Sequence, residues 1–166
     1  NPAIVLKIIN KSLLSIFGDQ KSQTFFDESD EGIDMTFCEI DFNKNTISIS
    51  TAIHKYYIVN GNQLKSYAGS FFSLGGILSR KKEAVYEENT FQIEKGMTLY
   101  MFSDGFLDQF GGKAGERFGE ENLKKIITEN NDSSIYRIRT ILDDAFKNWK
   151  GKYDQIDDVL LFAIRF

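Results

Sequence analysis

The sequence predicts an α+β domain, a sandwich of antiparallel sheets with helices outside. Strand-like segments come in a run and helical segments follow in a run, with none of the alternation that βαβ units would give. Two pairs of strand-like segments are joined by turn residues, Asn43-Lys44-Asn45 and the Asn60-Gly61 pair, so each pair reads as a hairpin. A short apolar run also stops abruptly at Ser103-Asp104-Gly105, and another starts straight after Asp157-Asp158. Acids therefore stand at the ends of two strands.

Taken in order, Asn1 suits an N-cap and Pro2 the first helical position. Ile4, Val5, Ile8, Ile9, Leu13, Ile16 and Phe17 then recur at helical spacing up to Gly18, which predicts a helix with that face on a core. From Asp19 to Gly32 the chain is polar and acidic and reads as a loop; Phe25 and Phe26 interrupt it, either to tuck under a sheet or to meet a partner. Ile33 to Asp41 and Thr46 to Thr51 form one hairpin, and Tyr56 to Val59 with Gln63 to Tyr67 a second, an antiparallel meander. The loop Ser73-Leu74-Gly75-Gly76-Ile77 leads to the basic cluster Arg80, Lys81 and Lys82, which is a solvated loop or a rim that attracts phosphate. Ala84 to Ile93 reads as a strand, and Glu94-Lys95-Gly96 turns into the strand around Leu99. Helices are expected over Glu120 to Glu129 and from Ser133 or Ser134 to Gly151, with Trp149 on the core stripe, and Val159 to Phe166 closes the chain as a strand.

Composition narrows the function. With 166 residues, 42% hydrophobic and 14% aromatic, the chain can bury one sizeable core, and its 15 Phe and 7 Tyr make that core aromatic. A net charge of -4 with no basic block argues against nucleic acid or an anionic membrane as a partner. The single cysteine, Cys38, excludes an internal disulfide or a cysteine metal cluster and reads as a small buried apolar residue. No apolar run is long enough to cross a bilayer and no signal peptide is present, which points to a cytoplasmic domain whether or not a longer parent is tethered to a membrane.

The acids carry the chemistry. Gly105 removes the side chain that would crowd whatever Asp104 holds, and Asp157 with Asp158 precedes a run that is otherwise wholly apolar. Carboxylates delivered to strand ends suit a hard divalent cation.

These pieces, FSDGFLDQFGG, SLGGI ahead of it, TAIHK between strands, ERFGEENL after it and the terminal DDVLLFAIRF, resemble the metal-dependent (PPM, type 2C-like) serine/threonine protein phosphatases. Within them the order is most similar to the stage II sporulation E and sigma-regulator branch, and it spans nearly the whole chain. The resemblance implies an αββα sandwich in which carboxylates hold two Mn²⁺ or Mg²⁺ ions that activate a water for attack on phosphorus, so no protein nucleophile is needed. Asp104 matches the family's central metal-binding aspartate and Asp157 the C-terminal one. Asp158 then orients a water or ligates, Ser103 supports the strand end or bonds a water, and Asp108 is a cap or a supporting acid. His54, the only histidine, stands where the family often has Ala-Gly-His; it stabilises its loop or serves as an accessory acid.

One departure stands out. The family carries a further metal-binding aspartate in a D-x-x-G-H-G segment upstream, and nothing here matches it; Asp34 is not in the corresponding place. Residues 1–166 therefore read as one phosphatase-like domain lacking its N-terminal metal-binding segment, with little activity alone. The resemblance further implies a bacterial signalling parent with a sensor or regulatory domain upstream, and a phosphoprotein substrate such as an anti-sigma-factor antagonist. The alternative is a noncatalytic phosphatase-like binding or regulatory module.

Overall fold

A computed structural model describes residues 1–18 and 32–166. The acidic loop expected from Asp19 onward, with Phe25 and Phe26, lies outside the described residues apart from Gly32. The chain divides into two compact units, Asn1–Lys55 with Ala68–Ile93, and Tyr56–Tyr67 with Glu94–Phe166. Each holds one main antiparallel sheet with helices against it, which is the α+β class expected.

The first unit begins with helix α1 (Pro2–Gly18), capped as predicted by the Asn1 side chain, whose Oδ1 accepts the Ile4 N–H at 3.0 Å. The buried face differs from the expected one. Leu6 and Asn10 are buried with Ile9 and Leu13 partly so, whereas Ile4, Ile8 and Ile16 are exposed. Asn10 turns the helix: its Oδ1 accepts the Gly75 N–H at 2.8 Å, so a polar residue lies on the inner stripe and is satisfied there.

Helix α1 packs on β1 (Met35–Asp41) and β2 (Thr46–Ala52), which pair in the predicted hairpin. Asp41 Oδ1 accepts the N–H groups of Asn43 and Lys44, both at 3.0 Å, and fixes the turn. The strand expected over Ala84 to Ile93 is reduced to β5 (Asn89–Gln92), on the other side of β2. Beside the end of β2 the place is taken by Ser70, which bonds the Thr51 carbonyl and the Ile53 N–H. Ala84 and Tyr86 instead enter a core with Leu6, Ala52 and Leu74. The basic cluster falls at the end of a short helix α2 (Ile77–Lys81), where Arg80 Nε donates to the Gly75 carbonyl at 3.0 Å.

The second unit carries the sheet β4-β3-β6-β9, formed by β3 (Tyr56–Asn60), β4 (Gln63–Tyr67), β6 (Thr98–Phe102) and β9 (Leu161–Arg165). The two hairpins thus do not continue one another as a meander, since β2 pairs with β5 and β3 with β6. Register pairs Asn60 with Gln63, so the turn centres on Gly61 and Asn62, one place beyond the expected pair, with Gly61 supplying φ +53.

After β6 come the short helix α3 (Gly105–Asp108) and a hairpin of β7 (Phe110–Gly111) and β8 (Glu116–Arg117), none of them expected from sequence. Helices α4 (Glu120–Glu129) and α5 (Ile135–Lys150) form as predicted, α5 capped by Ser134, whose side chain accepts the Arg137 N–H, and closed by Gly151 at φ +51. Leu123, Ile127, Ile138, Leu142 and Phe146 face Tyr57, Tyr100 and Phe102 of the sheet, with Phe106 and Phe118 between. This is the aromatic core the composition implied: Phe106 meets Phe118 edge-on at 5.2 Å and Phe146 at 5.1 Å. Among the described residues no helix is long and apolar enough to cross a membrane.

Candidate functional site

The acids assigned to the site, Asp104, Asp108, Asp157 and Asp158, belong to the second unit. Strand β6 ends at Phe102, and the chain passes through Ser103 and Asp104 into α3. Asp104 has helical dihedrals, and its carbonyl accepts the N–H groups of Leu107 and Asp108 at 2.8 and 2.9 Å. Its side chain makes no capping bond. The carboxylate at the strand end is thus left out of helix formation.

Gly105 brings the Asp157-Asp158 pair to this turn. A Cβ there would overlap the Asp158 carbonyl oxygen and stand 3.1 Å from the Asp158 carbonyl carbon and 3.2 Å from the Asp157 Cβ. Only glycine permits so close an approach of one backbone to another. Ser103 fastens the contact from the other side. Its hydroxyl donates to the Asp158 carbonyl at 2.8 Å and accepts the Leu160 N–H at 3.0 Å, while its own N–H donates to the Leu160 carbonyl at 2.9 Å. The hydroxyl and backbone N–H of Ser103 together hold the approach to β9.

Asp157 Oδ1 accepts the N–H of Asp158 at 2.7 Å, which orients the carboxylate. Gln155 Nε2 donates to the Asp157 carbonyl at 2.9 Å and steadies the same bend. Asp104, Asp157 and Asp158 are all exposed. Asp108 is paired with Arg117, Nη1 to Oδ1 at 3.0 Å.

His54 belongs to the first unit, in a tight turn after β2. Its N–H donates back to the Ala52 carbonyl at 2.8 Å across Ile53, whose φ of +66 is a strained value for a β-branched residue. The ring Nδ1 lies 3.4 Å from Thr36 Oγ1, and Gly69 packs against the His54 carbonyl. These contacts join His54 to its own turn, to Thr36 of β1 and to Gly69.

Some contributors break no sequence pattern. Gln109 is 1% exposed, and its Nε2 donates to the carbonyls of Phe110 and Asp154, both at 2.9 Å. Trp149 Nε1 donates to the Gln109 carbonyl at 3.1 Å, and Gly111 and Gly112 lie against Trp149. The loop after α3 is thereby pinned to the end of α5. The Gly-Gly pair was the one visible signal of that approach.

Carboxylates are the right kind of donor for Mn²⁺ or Mg²⁺. Among the described residues, however, no group of three or more His, Cys, Asp or Glu is placed to hold a metal. The donors fit in kind and fall short in number.

Comparison with known proteins agrees with this architecture. The sequence model of the SpoIIE family, stage II sporulation protein E, matches residues 1–166. No curated protein matches the chain. Among solved structures, the SiaA-PP2C domain of Pseudomonas aeruginosa superposes with a TM-score of 0.83 at 19% identity, over 100% of this chain and 61% of that one. The phosphatase domain of the cell fate determinant SpoIIE from Bacillus subtilis gives 0.59 at 16% identity, over 99% of this chain and 73% of that one. PppA, a key regulatory component of T6SS in Pseudomonas aeruginosa, gives 0.59 at 13%, over 96% and 66%. At these identities the structures establish a shared PP2C-type fold, and the chain spans 61% of the SiaA domain. With the family model matching from the first residue to the last, the chain belongs to the SpoIIE family.

Proposed function

We propose that these residues form the larger part of one metal-dependent phosphoserine/phosphothreonine phosphatase domain of a bacterial signalling protein. The observation that carries the reading is the approach at Gly105, which sets the Asp104 turn against Asp157 and Asp158. A scaffold has no need to bring acids from two strand ends together across a glycine. Asp104 and Asp157 would hold Mn²⁺ or Mg²⁺, Asp158 would orient water, and Ser103 and Gly105 would keep the two segments in register. Asp108 supports the site through its ion pair with Arg117. Bound ions would supply an activated water and offset charge on the phosphoryl oxygens.

The substrate would be a phosphoprotein, with an anti-sigma-factor antagonist the natural class for this branch, and the domain would be cytoplasmic. Two solved neighbours support a regulated parent by their descriptions. One is the PP2C phosphatase domain with a fragment of the regulatory domain of SpoIIE, and the other the RsbU and RsbW domains of Rv1364c from Mycobacterium tuberculosis.

Among the described residues no third ligand joins Asp104 and Asp157, which favours a second reading for residues 1–166, a noncatalytic binding module. Phosphate release from an aryl phosphate with Mn²⁺ separates the two. The full-length protein should turn over, Asp104→Asn should lose at least about tenfold, and residues 1–166 alone should release little phosphate. Equal rates for the full-length protein and its Asp104→Asn variant would refute the site, and robust turnover by residues 1–166 would refute their inactivity.

A further inference from the structure

We infer that Arg117 is the residue that grips the phosphate of the substrate. The inference rests on the phosphatase reading and adds to it a group outside Asp104, Asp157 and Asp158. Asp108 lies four residues beyond Asp104 in one helical turn, its N–H donating to the Asp104 carbonyl at 2.9 Å. Residues so spaced project from the same helix face with Cβ atoms about 5–6 Å apart. Asp108 in turn holds Arg117, so the ion pair ties the guanidinium to the short helix that Asp104 opens.

Arg117 is held there without being used up. Strand β8 sets it opposite Phe110 in the β7–β8 hairpin, and its Cζ lies 5.9 Å from the centre of the Phe110 ring. Only Nη1 is engaged, by Asp108; among the described residues Nε and Nη2 have no hydrogen bond. That open edge offers parallel N–H donors to two oxygens of a phosphate monoester, the geometry for which a guanidinium is better suited than an ammonium. Arg165 shows the contrast. Its Nε, Nη1 and Nη2 are directed at Thr98, Ser133 and Asn131, so its fork is filled.

Stability does not account for the Asp108–Arg117 pair. With side chains 39% and 62% exposed, an ion pair of this sort adds little to folding. Recognition does account for it. Where no ion is bound, a dianionic phosphate approaching Asp104, Asp157 and Asp158 meets like charge, and the guanidinium paired with Asp108 offers it a foothold.

The test uses the full-length protein, its Arg117→Ala and Arg117→Lys variants, and inorganic phosphate as the probe, titrated by calorimetry with Mg²⁺ and again without. Arg117→Ala should bind phosphate about tenfold more weakly in both conditions, the loss expected for a charge-assisted hydrogen bond. Arg117→Lys should recover part of it, having the charge without the fork. For hydrolysis of a phosphoserine peptide, more of the Arg117→Ala loss should fall in KM than in kcat. Unchanged phosphate affinity in Arg117→Ala, no phosphate binding by the unaltered protein, or a loss confined to kcat would each overturn the inference. If the unaltered protein binds phosphate through Arg117 but hydrolyses nothing, the phosphatase reading fails and the assignment of Arg117 stands.

Discussion

Replacing Gly105 by alanine perturbs the junction between the Asp104 turn and the Asp157-Asp158 pair with a single methyl group. At the first position of a helix such a change ordinarily stabilises, by about 0.5–1 kcal/mol, because the unfolded glycine has more freedom to lose. Here the added Cβ overlaps the Asp158 carbonyl oxygen and sits within 3.1 Å of its carbon and 3.2 Å of the Asp157 Cβ. The obstruction is backbone, which cannot rotate away as a side-chain tip could. Relieving it requires the Asp157-Asp158 segment to retreat by roughly 1 Å to an ordinary carbon-to-oxygen separation. The bonds from Ser103 to Asp158 and Leu160 resist that retreat.

Overpacking against a tethered backbone costs about 1–3 kcal/mol, so the net effect is a destabilisation of roughly 1–2 kcal/mol after the helix gain is subtracted. For a chain of this size the thermal midpoint should fall by about 2–8 °C. Hydrolysis by the full-length protein should fall much further, by about 100-fold, because an error of 1 Å in the placement of reacting groups has that effect. Urea unfolding and phosphate release measure the two. Gly61→Ala is the control: its φ of +53 strains alanine, but nothing lies within 4 Å of the new Cβ. It should lose about 1–2 kcal/mol of stability and keep its rate. If Gly105→Ala is as stable and as active as the parent, the close approach does not hold the site.

Two further predictions concern groups away from the acids. Ile53→Gly should raise stability by up to about 1–2 kcal/mol, since strain of about 1–3 kcal/mol at φ +66 is relieved against a glycine entropy cost of about 0.5–1 kcal/mol; a lower urea midpoint would contradict the strain. Burial pushes the Cys38 thiol from 9.0 up to about 11 and raises Tyr57, Tyr86 and Tyr100 above their ordinary value, with Glu120 adding to the effect at Tyr57. Each of these groups keeps its proton in the folded chain at a pH where the unfolded chain has lost it. Their contribution is therefore complete below pH 9.0, the ordinary thiol value, and declines as pH rises toward and beyond 11. Urea midpoints should be level from neutral pH to the ordinary thiol value and fall above it; a rise in that alkaline range would refute the burial of these groups.

What could be read from sequence follows a physical division between local and distant causes. Helices α4 and α5 were legible because their buried stripes, Leu123 with Ile127 and Ile138 with Leu142 and Phe146, match helical spacing with no polar residue among them. Helix α1 was legible in extent but not in facing. The residue that turns it, Asn10, is buried only because Gly75, far along the chain, supplies its partner. The strand that failed over Ala84 to Glu88 had the right residues, but Ser70 bonds the edge beside β2. The candidate site divides in the same way. Asp104 and Asp157 stood out because a charge bordering an apolar run violates the local pattern, and such violations are where function tends to reside. Arg117, Gln109 and the carbonyl of Asp158 violate nothing locally. Their importance comes from what they meet: Asp108 across a hairpin, Asp154 beyond α5, and Gly105 across the sheet end. A glycine after an aspartate announces freedom at that point in the chain, and only the fold says that the freedom is taken up by Asp157 and Asp158.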